Sequence, residues 1–461
     1  MHWLDSRMRV PESSRVVNST PFPRRRDGFS VVDTCALVQC QLGRVGCEGK
    51  EHCDRSEPSS LLGNGPEYHL AVGLGQKTSE AQGSISLVLV SDAGPGLATR
   101  ELDIYRFFRK PPRVVLARRG ASFPIDRRIV VQPEIIHLPV IGLEDKRLSN
   151  KFLAGISVIG YLLHAVRLAV RLRRRKFNIQ LVDAHVVLPQ GLFGLILARL
   201  CRVPLVIEAT GTDVNQEMRK NAALRAICRL VLARANAIIA PTRSLQRGLR
   251  VFGNTESVYL PNSVDTISIF PTSTPPKDNS ILFVGRMTEN KRPLLLLRSF
   301  EKVSARIADA TLTMCGDGPL MEAVQKRILQ KQLDGKVRVI SHATPRGVIE
   351  LLSQAEIFVL PSESEGMSFA LLEAMASGKT IVASSNESHR EVFQDKHGAL
   401  LFQLDDEQDL AEQIISALTN RHLRSESSHF ARELCVREFS NSEVGPRREK
   451  IYLEAIQSYR R

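Results

Sequence analysis

Residues 357–379 read IFVLPSESEGMSFALLEAMASGK. The first four residues are apolar, as in a strand buried on both faces, and Pro361 ends this run. After a loop, a helical pattern begins near Ser368, a favoured N-cap residue, and stops at Gly378, a favoured C-cap residue. Strand, loop and helix in this order form the repeating unit of a parallel sheet covered by helices. The segment therefore predicts an α/β fold with a ligand-binding loop where the strand ends.

The same alternation extends along the chain on both sides of this segment. Short apolar runs rich in Val and Ile alternate with helical patterns such as 192–200 and 221–233. Because these runs are apolar throughout, they indicate parallel strands covered on both faces. The predicted strands are 85–90, 113–117, 179–182, 204–207, 237–240, 281–284, 311–314, 337–340, 357–360 and 380–383.

The strand series is interrupted once, by a segment typical of a linker. Residues 270–279, FPTSTPPKDN, concentrate Pro, Ser and Thr. We therefore predict two Rossmann-like, doubly wound domains, 85–269 and 280–440, which face a central cleft. Residues 1–84 show no sustained period and are predicted to be a disordered extension. Residues 441–461 are predicted to be a last helix that crosses back to the first domain.

The charge of the chain is strongly positive and unevenly distributed. The net charge is +14, and residues 100–128 and 164–176 supply much of the excess. Such faces suit nucleic acid, a phosphorylated substrate or an anionic membrane surface, although each is also compatible with a solvated helix face. Aromatic residues make up only 5%. Nucleic acid is therefore the least favoured partner, because few side chains are available to stack on bases.

Cysteine usage and the apolar segments favour a cytoplasmic location. The cysteines after residue 200 lie in apolar or helical surroundings, as buried free thiols do. The cysteines at positions 35, 40, 47 and 53 lack the C-x2-C spacing typical of zinc sites. No metal site is therefore predicted. Residues 1–26 contain no apolar core of a signal peptide. Residues 152–170 are apolar but contain His164 and Arg167, so we expect a helix packed on a sheet or lying at a membrane interface.

Two carboxylates and two cations are expected where strands of the second domain end. Glu365 lies in the loop after residue 360, and Glu373 lies eight residues later on the helix. Both can accept hydrogen bonds from hydroxyl groups of one ligand, while amides at the helix start face an anion. Arg286 and Lys291 follow another strand and can neutralise a diphosphate without a metal. The alternative is a pair of solvated acids around a capped helix.

Several short motifs, taken in order, resemble the family 4 glycosyltransferases over about residues 85–452. Members of that family have the GT-B fold and retain the configuration of the transferred sugar. The motifs in the second half are Gly285-Arg286 with Lys291, Cys315-Gly-Asp-Gly-Pro319, and Pro361-Ser with Glu365 and Glu373. Those in the first half are Asp183-Ala-His185, Pro189-Gln-Gly191, Gly211-Thr-Asp213 and Pro261-Asn-Ser-Val-Asp265.

The resemblance implies a role for each residue of the second half. Arg286 and Lys291 would contact the donor's phosphates, Glu365 the transferred sugar, and Glu373 the ribose hydroxyls. Backbone amides of Gly366, Met367 and Ser368 would face the sugar and the phosphates. In this family the leaving phosphate helps to deprotonate the acceptor during front-face attack. The resemblance therefore implies no protein nucleophile, no metal and no cofactor, since the nucleotide-sugar is a substrate.

On the acceptor side, His185 and Asp213 resemble a histidine and an acid that face the cleft in this family. The chain departs from the family pattern at three places. Thr210 stands where many members have histidine, Gly94-Pro95-Gly96 is a shortened glycine-rich loop, and Glu387-Ser388 replaces a glycine pair ahead of His389 and Glu391. These departures affect sugar and acceptor specificity more than the fold.

The resemblance implies a metal-independent hexosyltransferase that moves a sugar from a nucleotide-sugar to a glycan or lipid-linked acceptor. Its place would be cell-surface polysaccharide or glycolipid synthesis, in the cytoplasm or at the inner face of the membrane. A catalytically idle nucleotide-sugar-binding protein and a nucleotide-sugar epimerase remain as alternatives. A dinucleotide oxidoreductase is disfavoured, because the segments at Gly94 and Gly316 both lack the third glycine of G-x-G-x-x-G.

Overall fold

A computed structural model describes residues 84–91, 102–119, 134–138, 151–210, 222–253, 256–394 and 398–460. Both sheets of the fold belong to one compact unit, residues 79–461. The predicted extension, apart from its last residue, lies outside the described residues, as do the glycine-rich loop at 94–96 and Asp213.

The first sheet has seven parallel strands in the order β3-β2-β1-β4-β5-β6-β7. Val88 and Val90 face one hydrophobic cluster, whereas Leu87 and Leu89 face another on the opposite side of the sheet. This two-sided burial explains why the central strands are apolar throughout. The strands are β1 (Ser86–Val90), β2 (Arg113–Arg119), β3 (Glu134–Leu138), β4 (Leu181–His185), β5 (Leu205–Glu208), β6 (Ala237–Ala240) and β7 (Val258–Tyr259).

The helices that follow these strands are mostly amphipathic. They are α1 (Lys151–Arg174), α2 (Leu192–Cys201), α3 (Ala222–Ala233) and α4 (Arg243–Leu249). α1 contains the apolar run seen in the sequence and buries Ala165, Leu168 and Leu172 in the cluster against the first sheet. The expectation of a packed helix is therefore confirmed for the described part of α1. Among the described helices, none has both the length and the apolar character needed to cross a membrane.

The second sheet has six parallel strands in the order β10-β9-β8-β11-β12-β13. Ile281 and Phe283 face one cluster and Leu282 faces the other, so this sheet too is covered on both sides. The strands are β8 (Ser280–Val284), β9 (Thr311–Cys315), β10 (Val337–Ile340), β11 (Ile357–Leu360), β12 (Thr380–Ser384) and β13 (Leu400–Phe402). The helices are α5 (Pro293–Arg306), α6 (Met321–Gln330), α7 (Pro345–Gln354), α8 (Phe369–Ala376), α9 (Glu387–Phe393), α10 (Glu407–Thr419), α11 (Arg421–Phe439) and α12 (Asn441–Arg460).

The predicted α/β class with two doubly wound sheets is confirmed. Each strand order reverses once, between β1 and β4 in the first sheet and between β8 and β11 in the second. Such reversals open a crevice at the carboxyl ends of the strands, where ligands bind in these folds. Residues 270–279 contain neither helix nor strand. The predicted domain bounds stay predictions.

Three strands were absent from the sequence prediction, and all three lie at sheet edges. β3 and β7 are the edges of the first sheet, and β13 is one edge of the second. β7 and β13 have only two and three residues, and β3 contains Glu134 and His137. An edge strand pairs on one side only and is commonly short or charged, so it does not form a long apolar run.

The predicted end of the helix after Glu365 is corrected by one residue. α8 ends at Ala376 with Ser377 as its C-cap. Gly378 follows with a φ of 65° and donates its N–H to the Met375 carbonyl at 3.0 Å. Glycine is favoured just beyond the C-cap because this left-handed conformation is strained for residues with a Cβ.

The last helix leaves the second sheet and packs on the first. Val264 bridges Ser440 in parallel just before α12 begins. Val444 and Ile451 of α12 are then buried in the same cluster as Ile104 and Leu87. α12 therefore lies on the face of the first sheet opposite α1.

Candidate active site

The loop after β11 positions Glu365 at the carboxyl edge of the second sheet. The Asn290 side chain holds this loop, because its amide donates to the Ser364 carbonyl at 2.8 Å and its oxygen accepts from the Ser364 N–H at 3.2 Å. Ser388 donates to the Glu365 carbonyl at 2.6 Å. Ser368 begins α8 as its N-cap and accepts from the Leu371 N–H. Hydrogen bonds made by the side chains of Asn290, Ser388 and Ser368 therefore hold the loop in place.

Glu365 and Lys291 form an ion pair within this loop region. The Lys291 ammonium donates to Glu365 Oε1. The Lys291 side chain is only 16% exposed and that of Glu365 only 9%. A largely desolvated pair is held much more strongly than a surface pair, so each charge fixes the position of the other. Two residues predicted to contact the sugar and the phosphates thus lie in direct contact.

The backbone at Arg286 is in close contact with a second turn, which contains Gly316 and Gly318. A Cβ on Gly316 would lie 2.0 Å from the Gly285 carbonyl oxygen, and one on Gly318 would lie 2.5 Å from the Met287 oxygen. Both glycines also have positive φ, 143° and 157°. The turn therefore packs directly on the backbone around Arg286. The Arg286 side chain is exposed, with no hydrogen bond or ion pair to the described residues.

Glu373 lies on α8 and is almost completely buried, at 2% exposure. Together with Glu365, it shows that the alternative of two solvated acids is wrong. Gly366 and Ser368 are partly buried and Met367 is buried, so the loop that contains them is packed. The Met367 carbonyl accepts from the Asn262 side-chain amide at 2.8 Å. This hydrogen bond joins the loop after β11 to the Pro261–Asp265 motif of the first half.

His185 lies at the carboxyl end of β4, in a buried cluster with two acids. Its Nε2 is 3.2 Å from Glu208 Oε2 and 3.5 Å from Asp183 Oδ2. Val186 follows with a φ of 85°, an outlier for a β-branched residue. Its N–H donates to the Glu208 carbonyl at 2.9 Å, which holds the chain in this conformation. Strained backbone of this kind is found most often at functional sites.

The described residues include one group whose side chains could together hold a metal ion, namely Asp183, His185 and Glu208. One ligand atom from each lies within 4.8 Å of the others. The Arg448 guanidinium, however, donates to both carboxylate oxygens of Glu208, at 2.7 and 3.2 Å. Tyr452 donates to Asp183. A cation would have to displace a buried arginine, so the donor set fits an ion-pair network better than a metal. The prediction of a site without metal stays a prediction.

Charge neighbours explain the protonation state of Glu208. Burial acts to raise the pKa of this carboxyl, but the Arg448 charge and His185 outweigh it and lower the pKa to about 2. Glu208 is therefore ionised throughout the neutral range.

Some residues of the site were not identified from the sequence. Glu208 ends an apolar strand next to β4, and this position could have marked it. Asn290 gives no such signal, because its contact with Ser364 depends on how two loops meet. Arg448 and Tyr452 are 240 or more residues from the strands that they contact.

The two facing α/β sheets have the GT-B architecture, which solved glycosyltransferase structures share. Sucrose-phosphate synthase from Thermosynechococcus elongatus superposes with a TM-score of 0.66 at 15% identity, covering 81% of this chain and all of that one. HepE of Anabaena, solved with UDP and glucose, gives a TM-score of 0.64 at 15% identity over 79% of this chain and 98% of its own. At such identities the likeness concerns the fold.

Residues 111–263 match the glycosyl transferase 4-like domain, and residues 265–434 match the glycosyl transferases group 1 family. The chain therefore belongs to the family 4 type of glycosyltransferases.

Curated relatives agree with this assignment. N-acetyl-alpha-D-glucosaminyl L-malate synthase of Bacillus anthracis is 24% identical over 60% of this chain and 76% of its own length. An uncharacterized glycosyltransferase of Methanocaldococcus jannaschii is 22% identical over 60% of this chain and 78% of its own. A phosphatidyl-myo-inositol mannosyltransferase of Mycolicibacterium smegmatis is 27% identical over 37% of this chain and 45% of its own.

Proposed function

We propose that this glycosyltransferase transfers a hexosyl group, with retention of configuration, from a nucleotide-sugar to a glycan or lipid-linked acceptor. The product would belong to a cell-surface polysaccharide or a glycolipid. The observation that carries the proposal is the largely buried Lys291–Glu365 pair at the carboxyl edge of the second sheet. An anion-binding cation and a hydroxyl-binding carboxylate in contact suit a ligand whose sugar is attached to a phosphate.

The donor would bind along the line from Arg286 to α8. Arg286 and Lys291 would bind the diphosphate, whose negative charge competes with Glu365 for the Lys291 ammonium. Glu365 would then be released to accept hydrogen bonds from the sugar hydroxyls, and Glu373 would accept those of the ribose. Among solved structures of the same fold, HepE of Anabaena contains UDP and glucose, and the pneumococcal O-GlcNAc transferase contains UDP and GlcNAc.

Bond formation would use the charges of the site and no protein nucleophile. Arg286 and Lys291 would stabilise the charge that develops on the leaving diphosphate, the task for which other enzymes use a metal. A phosphate oxygen of the leaving group would accept the proton of the attacking hydroxyl. His185 and Asp213 would face the acceptor from the first half. Closure of the two halves would exclude water, which limits hydrolysis of the donor.

An anionic membrane surface is the second partner that we propose. The described part of α1 exposes Leu163, Val166 and Val170, at 52%, 41% and 44%. Arg167, Arg171 and Arg174 are also exposed, and the helical period places them beside this apolar stripe. An apolar stripe flanked by arginines suits the interface of an anionic bilayer. A lipid-linked acceptor would be presented there, at the cytoplasmic face of the membrane.

Isothermal titration with UDP, GDP and ADP in the presence of EDTA tests the donor site. We expect one nucleotide to bind, and Glu373→Ala to weaken its binding about 10-fold or more, because a hydrogen bond to a charged group contributes about 1.5–3 kcal/mol. Glu363→Ala is the matched control, since this acid lies in the same loop with 47% of its side chain exposed. Equal loss in both variants, or binding only with a metal, would contradict the proposed site.

Hydrolysis of the donor in the absence of an acceptor distinguishes an active enzyme from a catalytically idle binding protein. A live donor site is expected to hydrolyse its nucleotide-sugar slowly when no acceptor is present. Binding of the nucleotide without any turnover of a donor panel would favour the idle protein. Release of a free epimerised sugar would favour an epimerase.

A further inference from the structure

A buried polar cluster joins the last helix to the ends of two strands of the first sheet. Asp183 and His185 lie two residues apart on β4, so they point to the same face, and Glu208 lies opposite His185 at the end of β5. Arg448 and Tyr452 lie four residues apart on α12, which places them on one face of that helix. All five residues are 9% exposed or less. The cluster is therefore part of the protein interior.

Two carboxylate oxygens in this cluster are each shared between His185 and α12. Glu208 Oε2 accepts from Arg448 Nη1 at 2.7 Å and lies 3.2 Å from His185 Nε2. Asp183 Oδ2 accepts from the Tyr452 hydroxyl and lies 3.5 Å from the same imidazole nitrogen. The imidazole thus contacts two oxygens whose positions are set by side chains of the last helix.

The charges of the cluster explain why both partners on α12 are needed. Two buried carboxylates face one guanidinium, and a buried carboxylate is costly without compensating charge and hydrogen bonds. Arg448 donates to both oxygens of Glu208. Asp183 Oδ2 accepts from the Tyr452 hydroxyl and lies 3.8 Å from Arg448 Nη1.

α12 itself is held closely against the first sheet. A Cβ on Gly445 would lie 2.7 Å from the Phe107 Cβ, so the helix approaches to backbone contact there. The Tyr452 ring lies 5.9 Å from the Phe108 ring in an edge-on arrangement, and its hydroxyl lies 3.4 Å from that of Tyr105. Packing on several sides leaves Tyr452 little freedom to move.

We propose that Arg448 and Tyr452 are positioning residues for His185. They hold Glu208 and Asp183 in place, and these carboxylates orient the imidazole at the cleft end of β4. The last helix therefore serves the acceptor side of the site without touching a substrate. This inference rests on the proposed acceptor role of His185.

Tyr452→Phe tests the proposal, because it removes one hydroxyl and leaves the ring. We expect the imidazole titration of His185, followed by NMR and assigned with His185→Asn, to shift by about half a pH unit or more. We also expect kcat to fall about 10-fold or more, since small displacements of reacting groups are costly. The KM for the donor is expected to stay unchanged, because the donor residues lie in the second half. Tyr459→Phe is the control, a tyrosine of the same helix with 41% exposure.

A second pair of variants keeps the proposal testable if Tyr452→Phe does not fold. Arg448→Lys keeps the charge but loses the two-point contact with Glu208. Arg448→Met with Glu208→Gln removes both charges together, which avoids a lone buried ion. We expect both to shift the His185 titration.

Two outcomes separate failure of this inference from failure of the proposed function. If His185→Asn turns over as fast as the unchanged protein, the proposed role of His185 is wrong. If the His185 titration is the same in Tyr452→Phe, Arg448→Lys and the Tyr459→Phe control, the positioning role is wrong. Loss of thermal stability without any change in titration or kcat would reduce Arg448 and Tyr452 to structural residues.

Discussion

At the scale of single residues, His389 gives the sharpest prediction of pH dependence. It is 1% exposed, and its Nδ1 hydrogen-bonds the Ser384 carbonyl at 2.9 Å. Burial lowers the pKa of this imidazole, and Lys291 acts in the same direction, although Glu365 and the Ser384 carbonyl oppose them. The folded protein therefore favours the neutral ring, whereas the unfolded chain takes up a proton near the ordinary pKa of about 6.5. Stability is fully present above that pH and falls as the pH decreases.

His389→Asn is expected to flatten this dependence. The asparagine amide can still donate to Ser384, but it does not titrate. Urea unfolding at pH 7.5 and 5.0 measures the effect, whose slope is at most about 1.4 kcal/mol per pH unit for one group. The exposed His429 supplies the control, and His429→Asn should keep the dependence of the unchanged protein. A dependence equally steep in His389→Asn would show that other groups cause it.

Residues of the site differ in how far the sequence could predict them. Lys291 and Glu365 follow two strands that are neighbours in the sheet, so their approach follows from the order of a doubly wound fold. The contact of Arg448 with Glu208, in contrast, depends on a helix from the other end of the chain. Local pattern contains no information about such a contact, because it depends on where the last helix docks.

At the scale of elements, α1 predicts binding to anionic vesicles. Each basic residue near such a surface contributes about 1 kcal/mol. Replacing Arg167, Arg171 and Arg174 with Gln should therefore weaken binding to phosphatidylserine vesicles by about 100-fold, as measured by co-sedimentation. Arg173 is left in place, because it donates to the Leu200 carbonyl at the end of α2.

An equal number of exposed arginines on α3 provides the control for α1. Arg225, Arg229 and Arg234 lie on or just after that helix and are exposed. Their replacement should leave vesicle binding within a few-fold of the unchanged protein. If both triple variants lose binding alike, net charge and not the face of α1 is responsible. If neither loses it, or if neutral vesicles bind as well, α1 is an ordinary solvated helix.

Elements were predictable where burial on both faces or a capping residue marked them. The central strands are continuous apolar runs because each is covered by two hydrophobic clusters. Ser368 marks the start of α8 because its side chain accepts the Leu371 N–H. The edge strands β3, β7 and β13 were not predictable in this way, because an edge strand has one paired side and no requirement for a long apolar run.

At the scale of the whole molecule, the two halves are joined by contacts between segments far apart in the sequence. The Glu391 carboxylate of α9 accepts from the backbone N–H of Arg243 at 2.6 Å and of Ser244 at 3.0 Å, at the start of α4. On the same face of α9, Glu387 pairs with Arg247. The sequence showed Glu387 only as a departure from a glycine pair. Its partner could not be inferred, because α4 belongs to the other half.

We predict that Glu391 favours the closed arrangement of the halves, defined here as the one in which α9 contacts the start of α4. Two hydrogen bonds from backbone amides to one carboxylate are stronger than a surface ion pair, because the acceptor is charged and both donors are fixed. Removing them with Glu391→Ala should cost the closed state about 1–2 kcal/mol, or roughly a 10-fold change in the equilibrium constant between the closed and open states. Small-angle scattering should then give a larger radius of gyration, and more donor should be hydrolysed per transfer because water is excluded less often.

Glu387→Ala is the matched control, since that side chain is 61% exposed and its partner Arg247 60%. An exposed pair contributes little and is screened by salt, so Glu387→Ala should resemble the unchanged protein, most of all in 0.5 M NaCl. If both variants keep the original radius and hydrolysis ratio, Glu391 only caps α4, and closure depends on contacts such as that of Asn262 with the Met367 carbonyl.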